Sequence, residues 1–405
     1  MATTSFLYHT LGLVGYKHLS TEFRGGEVYH HVRLRRHKRR CRHCRARWLD
    51  LRLAGAFVRA FRALPVGSHG QWVVLHGHRQ HCRRCGRTAR EPVAFANGNA
   101  RHLKAFGRFA VGLCAIAPIK AVAGWLGVGW DLVKDLFKAD LRKRLRRRRL
   151  GALRYIAIDE FAVRKGHRYM TVVLDLESGT IVHVQEGKDA AAVVEFLRRL
   201  KRRGVTLKAV AIDMSEAYRQ AVRSVFGERV EIVHDPYHVV ALVNHAIDET
   251  RREMMRELAD AEREALKGNR FVLLRGFERL NEKGQIRLAE LMALNQPLYE
   301  LYLLKENLRR FWRMPNEAKA KEFLEAWIIV AKATTSKHFK RLAGTLEEHR
   351  AGLLAYFRHP ITTGPLEGIN NKIKVLKRQA YGFRDMEYFK LRLLFLNDDT
   401  YAFPG

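Results

Sequence analysis

Long uninterrupted apolar segments are missing from this 405-residue sequence. It contains no run of about 18 apolar residues, so it predicts no helix that spans a membrane. The segment from Met1 to Tyr8 also lacks the basic stretch and following apolar core that mark a secretory signal. These two absences predict a cytoplasmic protein. The length indicates more than one domain, and the apolar content of 47% is ample for packed cores.

Acidic residues are scarce relative to basic ones. The chain has 41 Asp and Glu against 75 Lys and Arg, which gives a formal net charge of +34. A compact protein tolerates such self-repulsion best when it binds a polyanion, so nucleic acid is the first candidate and an anionic membrane surface the second. Arg and Lys are especially dense between Val32 and Trp48. We interpret that stretch as a phosphate-binding surface rather than a solvated charged face.

Cysteine is also rare, and four of the five cysteines form two close pairs, Cys41-Arg-His-Cys44 and Cys82-Arg-Arg-Cys85. In a reducing cytosol this spacing favours zinc binding over disulfides. Each pair offers two thiolates, and two pairs complete a tetrahedron. Because four thiolates leave no open coordination position, we predict a structural zinc rather than a catalytic one.

Alternatives to the four-cysteine ligand set remain open. His43 and His81 adjoin the pairs, and either could replace a thiolate. The segment between the pairs is longer than in a minimal zinc ribbon and has room for a β-hairpin, with strands predicted at 55–63 and 71–78. We expect residues 1–98 to form a zinc-binding β domain, and we assign Cys114 to an apolar core.

Residues 99–150 are predicted to form a helix-turn-helix domain followed by a basic linker. A helix is expected from about 101 to 115, and two further helical segments, 118–127 and 128–138, are joined by a glycine-containing turn. The last helix would enter the major groove. The expected DNA contacts on one face of that helix are Trp130, Lys134 and Lys138. The block that follows, which includes Arg146 and Arg147, is either a helix end on the DNA backbone or a solvated linker.

From residue 151 the pattern changes to α/β. Strands and helices alternate in the order β-β-β-α-β-α-β-α, which predicts a ribonuclease-H-like topology. In that topology three strands form a meander and the fourth lies parallel beside the first. The predicted strands are 155–159, 167–176, 180–185, 205–213 and 230–233; the predicted helices are 189–202, 215–226 and one that begins near 236.

A long segment of helical periodicity interrupts this fold. Residues 240–355 show mostly a 3.6-residue repeat, and the segment is too long for a simple connection. We interpret it as a helical domain inserted before the last helix of the fold. The expected arrangement is therefore a first part of the catalytic core at 151–240, an all-helical insertion at 241–355, and the last part of the core at 356–405.

Three acidic residues occupy positions typical of a two-metal phosphoryl-transfer site. Asp159 and Asp213 end apolar strands that should be adjacent, and Glu367 lies at the start of a late, very basic helix. Two divalent ions about 4 Å apart can hold both the attacking and the leaving oxygen of a phosphodiester. Hard Mg²⁺ prefers carboxylate oxygens as ligands. We predict that these three residues hold two Mg²⁺ ions, for which Mn²⁺ can substitute.

Other carboxylates compete for the same role. Glu160 follows Asp159 directly, and because side chains alternate along a strand we expect only one of the two to line the site. Asp175 and Asp235 also lie near strand ends. Each is a further candidate for a metal ligand.

The helix that follows Glu367 carries a cluster of polar and basic side chains. If Glu367 is a metal ligand, the same helical side should carry its DNA substrate, and otherwise these residues form a solvated face. The predicted DNA contacts are Asn370, Lys374, Lys377 and Arg378.

Four segments of the chain resemble the ISL-three family of bacterial insertion-sequence transposases, and the resemblance covers nearly the whole sequence. They are Ile158-Asp-Glu-Phe-Ala-Val-Arg-Lys-Gly-His-Arg-Tyr169, Val210-Ala-Ile-Asp-Met-Ser-Glu-Ala-Tyr218, Val233-His-Asp-Pro-Tyr-His-Val239 and Glu367-Gly-Ile-Asn-Asn-Lys-Ile-Lys-Val-Leu-Lys-Arg-Gln-Ala-Tyr-Gly382. The last is close to a family signature. The zinc region departs more, since the first cysteine pair lacks the Pro and Gly that often flank it.

The resemblance implies an N-terminal zinc domain, a helix-turn-helix and an Asp-Asp-Glu catalytic domain with a helical insertion. The catalytic roles would fall on Asp159, Asp213 and Glu367. Asp235-Pro-Tyr-His238 resembles an Asp-x-x-His element of such transposases, which would put His238 beside the site. Without the resemblance, His238 would be interpreted as a core histidine.

The sequence thus predicts a nucleoid-associated DNA transposase. It would bind the terminal inverted repeats of its element, cut the DNA by metal-dependent hydrolysis, and join the 3′-hydroxyl ends to target DNA. Because two ends must be brought together, we expect a homodimer or larger assembly. The alternatives are a structure-specific nuclease on the same fold and a DNA-binding regulator without catalytic activity.

Overall fold

A computed structural model describes residues 6–148, 150, 153–164, 168–257 and 269–397. The chain folds into two compact units, and the boundary between them falls after Arg148. The predicted strand start at His167 and the terminal segment 398–405 lie outside the described residues. No helix in the described part is both long and apolar enough to cross a membrane.

The first unit is built on a five-stranded sheet in the order β1-β2-β4-β3, with β5 paired to β4. The predicted hairpin is present but longer than expected. Its two strands pair from Leu51 and Cys82 at one end to the tight turn between Val66 and His69 at the other. Strand β2 pairs in parallel with β4, and the other pairs are antiparallel. The strands are β1 (Tyr16–Arg24), β2 (Glu27–Leu34), β3 (Leu51–Val66), β4 (His69–Cys82) and β5 (Thr88–Arg90).

Strand β1 was not foreseen from the sequence. It is an edge strand, and every residue after Tyr16 is exposed to solvent. Without one buried face, the segment shows no alternation of apolar and polar residues, and this alternation is the main signal for a strand.

Helices complete the first unit. A three-residue turn with Gly127 in the left-handed region (φ 61°) joins α3 to α4. Helix α4 runs well past the predicted end at 138, because Val133, Phe137 and Leu141 continue one buried stripe and arginine is a good helix former. The basic block up to Arg147 is therefore helical rather than a linker. The helices are α1 (Phe6–His9), α2 (Lys104–Leu113), α3 (Ile119–Leu126) and α4 (Trp130–Arg147).

The second unit contains a mixed sheet in the order β10-β9-β6-β7-β8. Strands β6, β7 and β8 form an antiparallel meander, β9 lies parallel beside β6, and β10 lies parallel beside β9. This order matches the prediction. The strands are β6 (Tyr155–Arg164), β7 (Arg168–Asp175), β8 (Thr180–Glu186), β9 (Ala209–Ile212) and β10 (Glu231–His234).

Helices cover both faces of this sheet. On one face, α5 (Ala191–Arg202) and α6 (Glu216–Phe226) share an apolar core with side chains such as Ile156 and Ile158. On the other face, α14 (Gly364–Gln379) and α15 (Met386–Leu394) pack against side chains that include Ala157 and Ala211. The alternation of residues along β6 between two cores fixes which face each of its side chains takes.

The segment between the sheet and α14 is helical and has a core of its own. Its first helix, α7, runs without a break from Pro236 to Glu257, so it begins at the sheet and ends in the helical segment. The buried Asp248 on α7 binds Arg251, Arg252 and Arg270 at 2.8–3.1 Å. The remaining helices are α8 (Arg270–Leu274), α9 (Glu282–Leu294), α10 (Gln296–Leu308), α11 (Glu317–Ala333), α12 (Lys337–Glu348) and α13 (Arg350–Leu354).

Candidate functional site

The four paired cysteines of the first unit converge on one point. The Sγ atoms of Cys41 and Cys85 lie 3.7 Å apart, those of Cys44 and Cys82 lie 3.6 Å apart, and all four lie within 4.8 Å of one another. Zn–S bonds of about 2.3 Å put tetrahedral sulfurs about 3.8 Å apart. The spacing of the sulfurs therefore fits one tetrahedral ion.

The two Cys-x-x-Cys turns have the same backbone shape. The amide of Cys41 donates to the carbonyl of Ala46, and the amide of Cys82 donates to that of Arg87 in the same way. The residue after each second cysteine, Arg45 or Gly86, has a left-handed backbone with φ of 61° and 67°. Each turn thus presents both of its thiols on one side without help from distant parts of the chain.

Neither neighbouring histidine joins this cluster. Among the residues that the structure describes, only the four cysteines bring three or more metal-binding side chains within 4.8 Å of one another. The His81 ring turns away and pairs with Thr88 Oγ1 at 3.0 Å, and His43 also stays outside the group. Of the ligand sets left open by the sequence, the four cysteines alone fit.

Asp159 lies within β6, which continues to Arg164 instead of ending at 159 as predicted, and Asp213 directly follows the neighbouring strand β9. Ala157 on β6 pairs with Ala211 on β9, so Asp159 and Asp213 each follow this pair by two residues. Burial raises the pKa of the Asp159 carboxyl, and the negative charge of Asp213 adds to the rise. The Glu160 amide, His238 and Asn370 act in the opposite direction. The two aspartates therefore repel one another across adjacent strands.

The Asp159 side chain is held in place by two neutral donors. Its Oδ1 accepts a hydrogen bond from the Glu160 amide at 2.8 Å, and its Oδ2 accepts one from Asn370 Nδ2 at 3.1 Å. Asn370 belongs to α14, which therefore docks directly on the carboxylate of β6. Of the four side chains predicted to contact DNA on α14, Asn370 is thus engaged with Asp159.

Glu160 departs from the expectation that only one of the two neighbouring acids would face the site. Its Oε2 accepts a hydrogen bond from the buried Tyr218 hydroxyl at 3.1 Å on α6, the face opposite to α14. Nevertheless, burial and the charge of Asp213 raise the pKa of Glu160, and Asp159 adds to the rise. Strand alternation separates the two side chains but leaves both within electrostatic reach of Asp213.

Glu367 is exposed, and its carboxylate makes no hydrogen bond or ion pair within the described segments. It is the fourth residue of α14 and precedes Asn370 by three residues, so both lie on the same helical face. That face also contains Lys377, whose ammonium donates to the carbonyl of Ala162 on β6 at 2.9 Å. Helix α14 therefore runs along β6 and carries Glu367 on the side that Asn370 turns toward Asp159.

The remaining acidic candidates have structural roles. Asp175 caps the turn between β7 and β8, where its carboxylate accepts from the Glu177 amide. Asp235 is buried and holds the first turn of α14: its Oδ1 accepts from the Thr363 amide at 3.3 Å, and its Oδ2 accepts from the Thr363 hydroxyl at 2.8 Å. Thr363 is the N-cap residue of α14. Asp235 therefore anchors the helix that carries Glu367, a role that the sequence did not reveal.

The resemblance implied that His238 would lie beside the site. It is on the first turn of α7, with Nε2 4.0 Å from Asp235 Oδ2, and it lowers the pKa of Asp159. A second histidine, His234, binds the Asp213 carbonyl through Nδ1 at 3.1 Å. A side chain at Gly352 on α13 would place its Cβ 2.3 Å from the His234 ring. The glycine therefore lets the helical segment pack directly behind Asp213.

The basic side chains on the exposed side of α14 differ in their availability. Lys374 donates to Asn371 Oδ1 at 3.3 Å, and the exposed guanidinium of Arg378 makes no hydrogen bond or ion pair in the described segments. Burial lowers the pKa of Lys377, which is already bound to β6. Lys374 and Arg378 are therefore the better placed of the three for binding a phosphate.

Two of the side chains on α4 that are predicted to contact DNA already interact with each other, and one of them also pairs with neighbouring acids. Lys134 lies 5.0 Å from the centre of the Trp130 ring, and it also pairs with Asp131 at 3.3 Å and Asp135 at 3.6 Å. Trp130 itself is 48% exposed. The expected contact between DNA and the face of α4 formed by Trp130, Lys134 and Lys138 remains a prediction, as do the contacts of Arg146 and Arg147.

Comparisons with known proteins agree with the resemblance seen in the sequence. A family model described as a transposase, of the ISL3 (ISL-three) type, matches residues 156–393. The transposase for insertion sequence element IS1001 of Bordetella parapertussis is 35% identical over 90% of this chain and 89% of its own length. The transposase for insertion sequence element IS1557 of Mycobacterium tuberculosis is 31% identical over 91% of this chain and 88% of its own length.

Among solved structures, the Drosophila P element transposase strand transfer complex aligns with 72% of this chain and 91% of its own, with a TM-score of 0.37 and 11% identity. The family model spans more than half of the chain, and the two curated relatives span nearly all of it. The chain belongs to the ISL-three family of insertion-sequence transposases.

Proposed function

We propose that this protein binds the terminal inverted repeats of its insertion sequence, cuts the DNA at each end, and joins the freed 3′-hydroxyl groups to target DNA. The observation that carries the proposal is the docking of α14 on β6. The contact between Asn370 and Asp159 connects β6, which lies beside the strand that precedes Asp213, with the helix that bears Glu367. This contact supports a site in which acids from three distant parts of the sequence act together.

The donors at this edge suit divalent cations. Asp159, Asp213 and Glu367 would hold two Mg²⁺ ions, or Mn²⁺ in their place, and Glu160 is a fourth carboxylate nearby. Mutual repulsion and burial raise the pKa values of Asp159 and Glu160, and bound cations would relieve both effects. When bound, such ions polarise the phosphodiester and neutralise the charge that develops on it.

The protein side chains supply position and charge for two in-line displacements. In the first, water attacks the phosphorus, and the bond from phosphorus to the 3′-oxygen breaks to leave a 3′-hydroxyl. In the second, that hydroxyl attacks a target phosphodiester, forming one phosphodiester bond as another breaks. Asn370 orients Asp159, Asp235 fixes the start of α14, and Lys374 and Arg378 can hold the substrate phosphates.

The first unit supplies recognition in this proposal. One Zn²⁺ held by Cys41, Cys44, Cys82 and Cys85 would stabilise the β domain, as the sulfur spacing supports. Helices α3 and α4 would act as a helix-turn-helix, with α4 in the major groove. A homodimer or larger assembly would bring the two ends of the element together.

A strand-transfer assay tests the proposal. Linear DNA bearing the inverted repeats that flank the coding sequence is incubated with a supercoiled plasmid, the purified protein and Mg²⁺. We expect both cleavage at the ends and joining to the plasmid, and neither reaction with the Asp159→Asn variant. Asp175→Asn serves as the matched control, because Asp175 caps a turn. Cleavage without joining would identify a nuclease, and sequence-specific binding without cleavage would identify a regulator.

Recognition can be tested separately by competition between end DNA and random DNA at fixed salt. Replacing Trp130, Lys134 and Lys138 by alanine should reduce the preference for end DNA. Neutralising Arg146 and Arg147 should weaken binding to both DNAs about equally, since phosphate contacts carry no sequence information. If the arginines alone set the preference, α4 is not the recognition helix.

A further inference from the structure

The chain following α14 contains a tyrosine in an unusual backbone position. The Tyr381 amide donates to the carbonyl of Arg378 at 3.1 Å, and the Gly382 amide donates to that of Lys377 at 3.0 Å. These two bonds form a Schellman motif, and Tyr381 occupies the left-handed position (φ 50°) that glycine usually takes. A tyrosine there has an unfavourable backbone conformation that a glycine would avoid.

Packing does not account for this tyrosine. Its side chain is 100% exposed, so it contributes nothing to the core of the unit. Residues held in sparsely populated backbone regions cluster at functional sites. The ring is therefore displayed rather than buried, at the end of a helix whose exposed side contains Lys374 and Arg378.

Phe383, two residues after Tyr381, lines a cavity of about 210 Å³. Its wall combines two aromatic rings, two guanidinium groups, a thioether and a carboxylate: Tyr169, Phe383, Arg168, Arg384, Met386 and Glu186. Flat aromatic faces accept a nucleobase by stacking, and guanidinium and carboxylate groups can bond to its polar edge.

The charge around the cavity also suits a nucleotide. The side chains of Arg168 and Arg384 are exposed and form no ion pair with any residue that the structure describes. The acidic wall residue Glu186 is paired with Lys390 at 3.2 Å. The ammonium of Lys188 lies 4.7 Å from the centre of the Tyr169 ring. The surroundings of the cavity are thus cationic and can hold the phosphates that flank an inserted base.

We propose that this cavity receives one nucleobase that is turned out of the DNA duplex, and that the Tyr381 ring enters the stack in its place. The inference rests on the proposed function, because it assigns a second binding site to the same DNA. From Glu367 to Gln379, α14 spans about 18 Å at 1.5 Å per residue. At 3.4 Å per base pair, the displaced base would be about five pairs from the bond that is cut.

Fluorescence of 2-aminopurine measures base displacement directly. End DNA is prepared with this base at each position from one to eight pairs from the cut, and it is bound to the Asp213→Asn variant, which cannot cut. We expect strong brightening at one position near the fifth pair and little at the others. Adding Tyr381→Gly to that variant should abolish the brightening, and Phe271→Ala, which removes another exposed aromatic side chain, should leave it unchanged.

Cleavage kinetics provide the second measurement. In the otherwise unaltered protein, Tyr381→Gly should slow cleavage of intact end DNA by tenfold or more, on the order of the effect of removing one base-stacking contact. The rate should recover on DNA that lacks the base at the brightening position, because no base then has to be displaced. Glycine fits the left-handed backbone, so the variant should fold at least as stably, and a lowered melting temperature would contradict the backbone argument.

The outcomes separate the two hypotheses. The base site is wrong if no position brightens, if brightening survives Tyr381→Gly, or if the variant cuts intact DNA at the normal rate. Failure of the unaltered protein to cut or join end DNA in Mg²⁺ would instead count against the proposed function. Brightening would in that case still support the cavity as a base-binding site.

Discussion

The two proposed metal-binding regions of this protein are assembled in opposite ways. The four sulfurs of the first unit already lie at ligand distance, and each pair is placed by a turn of a few residues. The carboxylates of the second unit come from β6, the end of β9 and α14, and no three of them lie within 4.8 Å in the described part of the chain. Glu367 in particular remains exposed.

The difference follows from what each site would do. A structural ion needs a closed shell of ligands that is complete without any other molecule. A catalytic site must leave positions open for substrate oxygens, so its ligands can converge only when ions and DNA bind. In this protein two hydrogen bonds fix parts of the proposed open site before any ion binds. Asn370 donates one to Asp159, and Thr363 donates the other to Asp235.

The largest effect is expected at the closed site. Cys82→Ser should abolish binding of the ion and unfold the β domain of the first unit, because structural zinc contributes about 10–16 kcal/mol to the folding of small domains. Metal analysis should find one zinc in the unaltered protein and none in the variant, and calorimetry should show that one of two unfolding transitions is lost. Cys114→Ser is the matched control, since Cys114 lies outside the cluster. Purified, folded protein without zinc would refute the assignment.

At the open site we expect loss of activity with the fold intact. Asp159→Asn, Asp213→Asn and Glu367→Gln should each reduce DNA cleavage by at least about 10³-fold, while binding to end DNA stays nearly unchanged. Gel-based cleavage and binding assays on the same DNA measure both quantities. Normal cleavage by any one of these variants would remove that residue from the catalytic set.

Glu160→Gln sharpens this second test. Glu160 is electrostatically coupled to both aspartates yet bonded to Tyr218 on the other face of the sheet. A loss as large as that of Asp159→Asn would make Glu160 a ligand. A small loss of cleavage activity would mean that Glu160 only supports the structure around β6.

A smaller effect is expected from the anchor of α14. Thr363→Val removes the hydroxyl that binds Asp235, and residues that orient metal ligands typically contribute about 10- to 100-fold to activity. Cleavage should fall by that factor and the Mg²⁺ concentration for half-maximal rate should rise. Thr363→Ser keeps the hydroxyl and should restore both. If the valine and serine variants behave alike, the bond to Asp235 does not position the helix.

The smallest effect concerns the two cysteine turns. Arg45 and Gly86 have the same left-handed backbone, which costs a non-glycine residue about 1–2 kcal/mol. Arg45→Gly should therefore raise the free energy of unfolding of the first unit by roughly 1 kcal/mol, and Gly86→Ala should lower it by a similar amount. Denaturant titration of zinc-loaded protein measures both. Changes of the same sign would mean that the two turns are not equivalent.

The parts of this structure that could be predicted from the sequence have strong local signals. Cys41 and Cys44 indicate a metal site through their spacing, and the apolar runs that lead to Asp159 and Asp213 have the composition of buried strands. Their order along the chain then limits the sheet to few topologies, and the observed strand order is the predicted one.

The contacts that could not be predicted depend on distance in space rather than on local pattern. The bond from Asp235 to Thr363 joins residues 128 positions apart, and neither has a neighbour that marks it as an anchor. Glu160 appeared to be excluded by strand alternation, but alternation fixes only the direction of a side chain and not the reach of its charge. Tyr381 is part of a recognisable segment, but only its backbone angle and exposure single it out.

Helix α7 gives the second unit a mechanical property. Its 22 residues form a rod of about 33 Å, which starts beside the acidic edge near His238 and is held near its middle by the ion pairs of Asp248. A tilt of about 2° at one end of such a lever moves the other by about 1 Å, and a misplacement of ~1 Å can change a reaction rate by about 10²-fold. A small change in the position of the helical segment would therefore be transmitted along α7 to the residues beside Asp159.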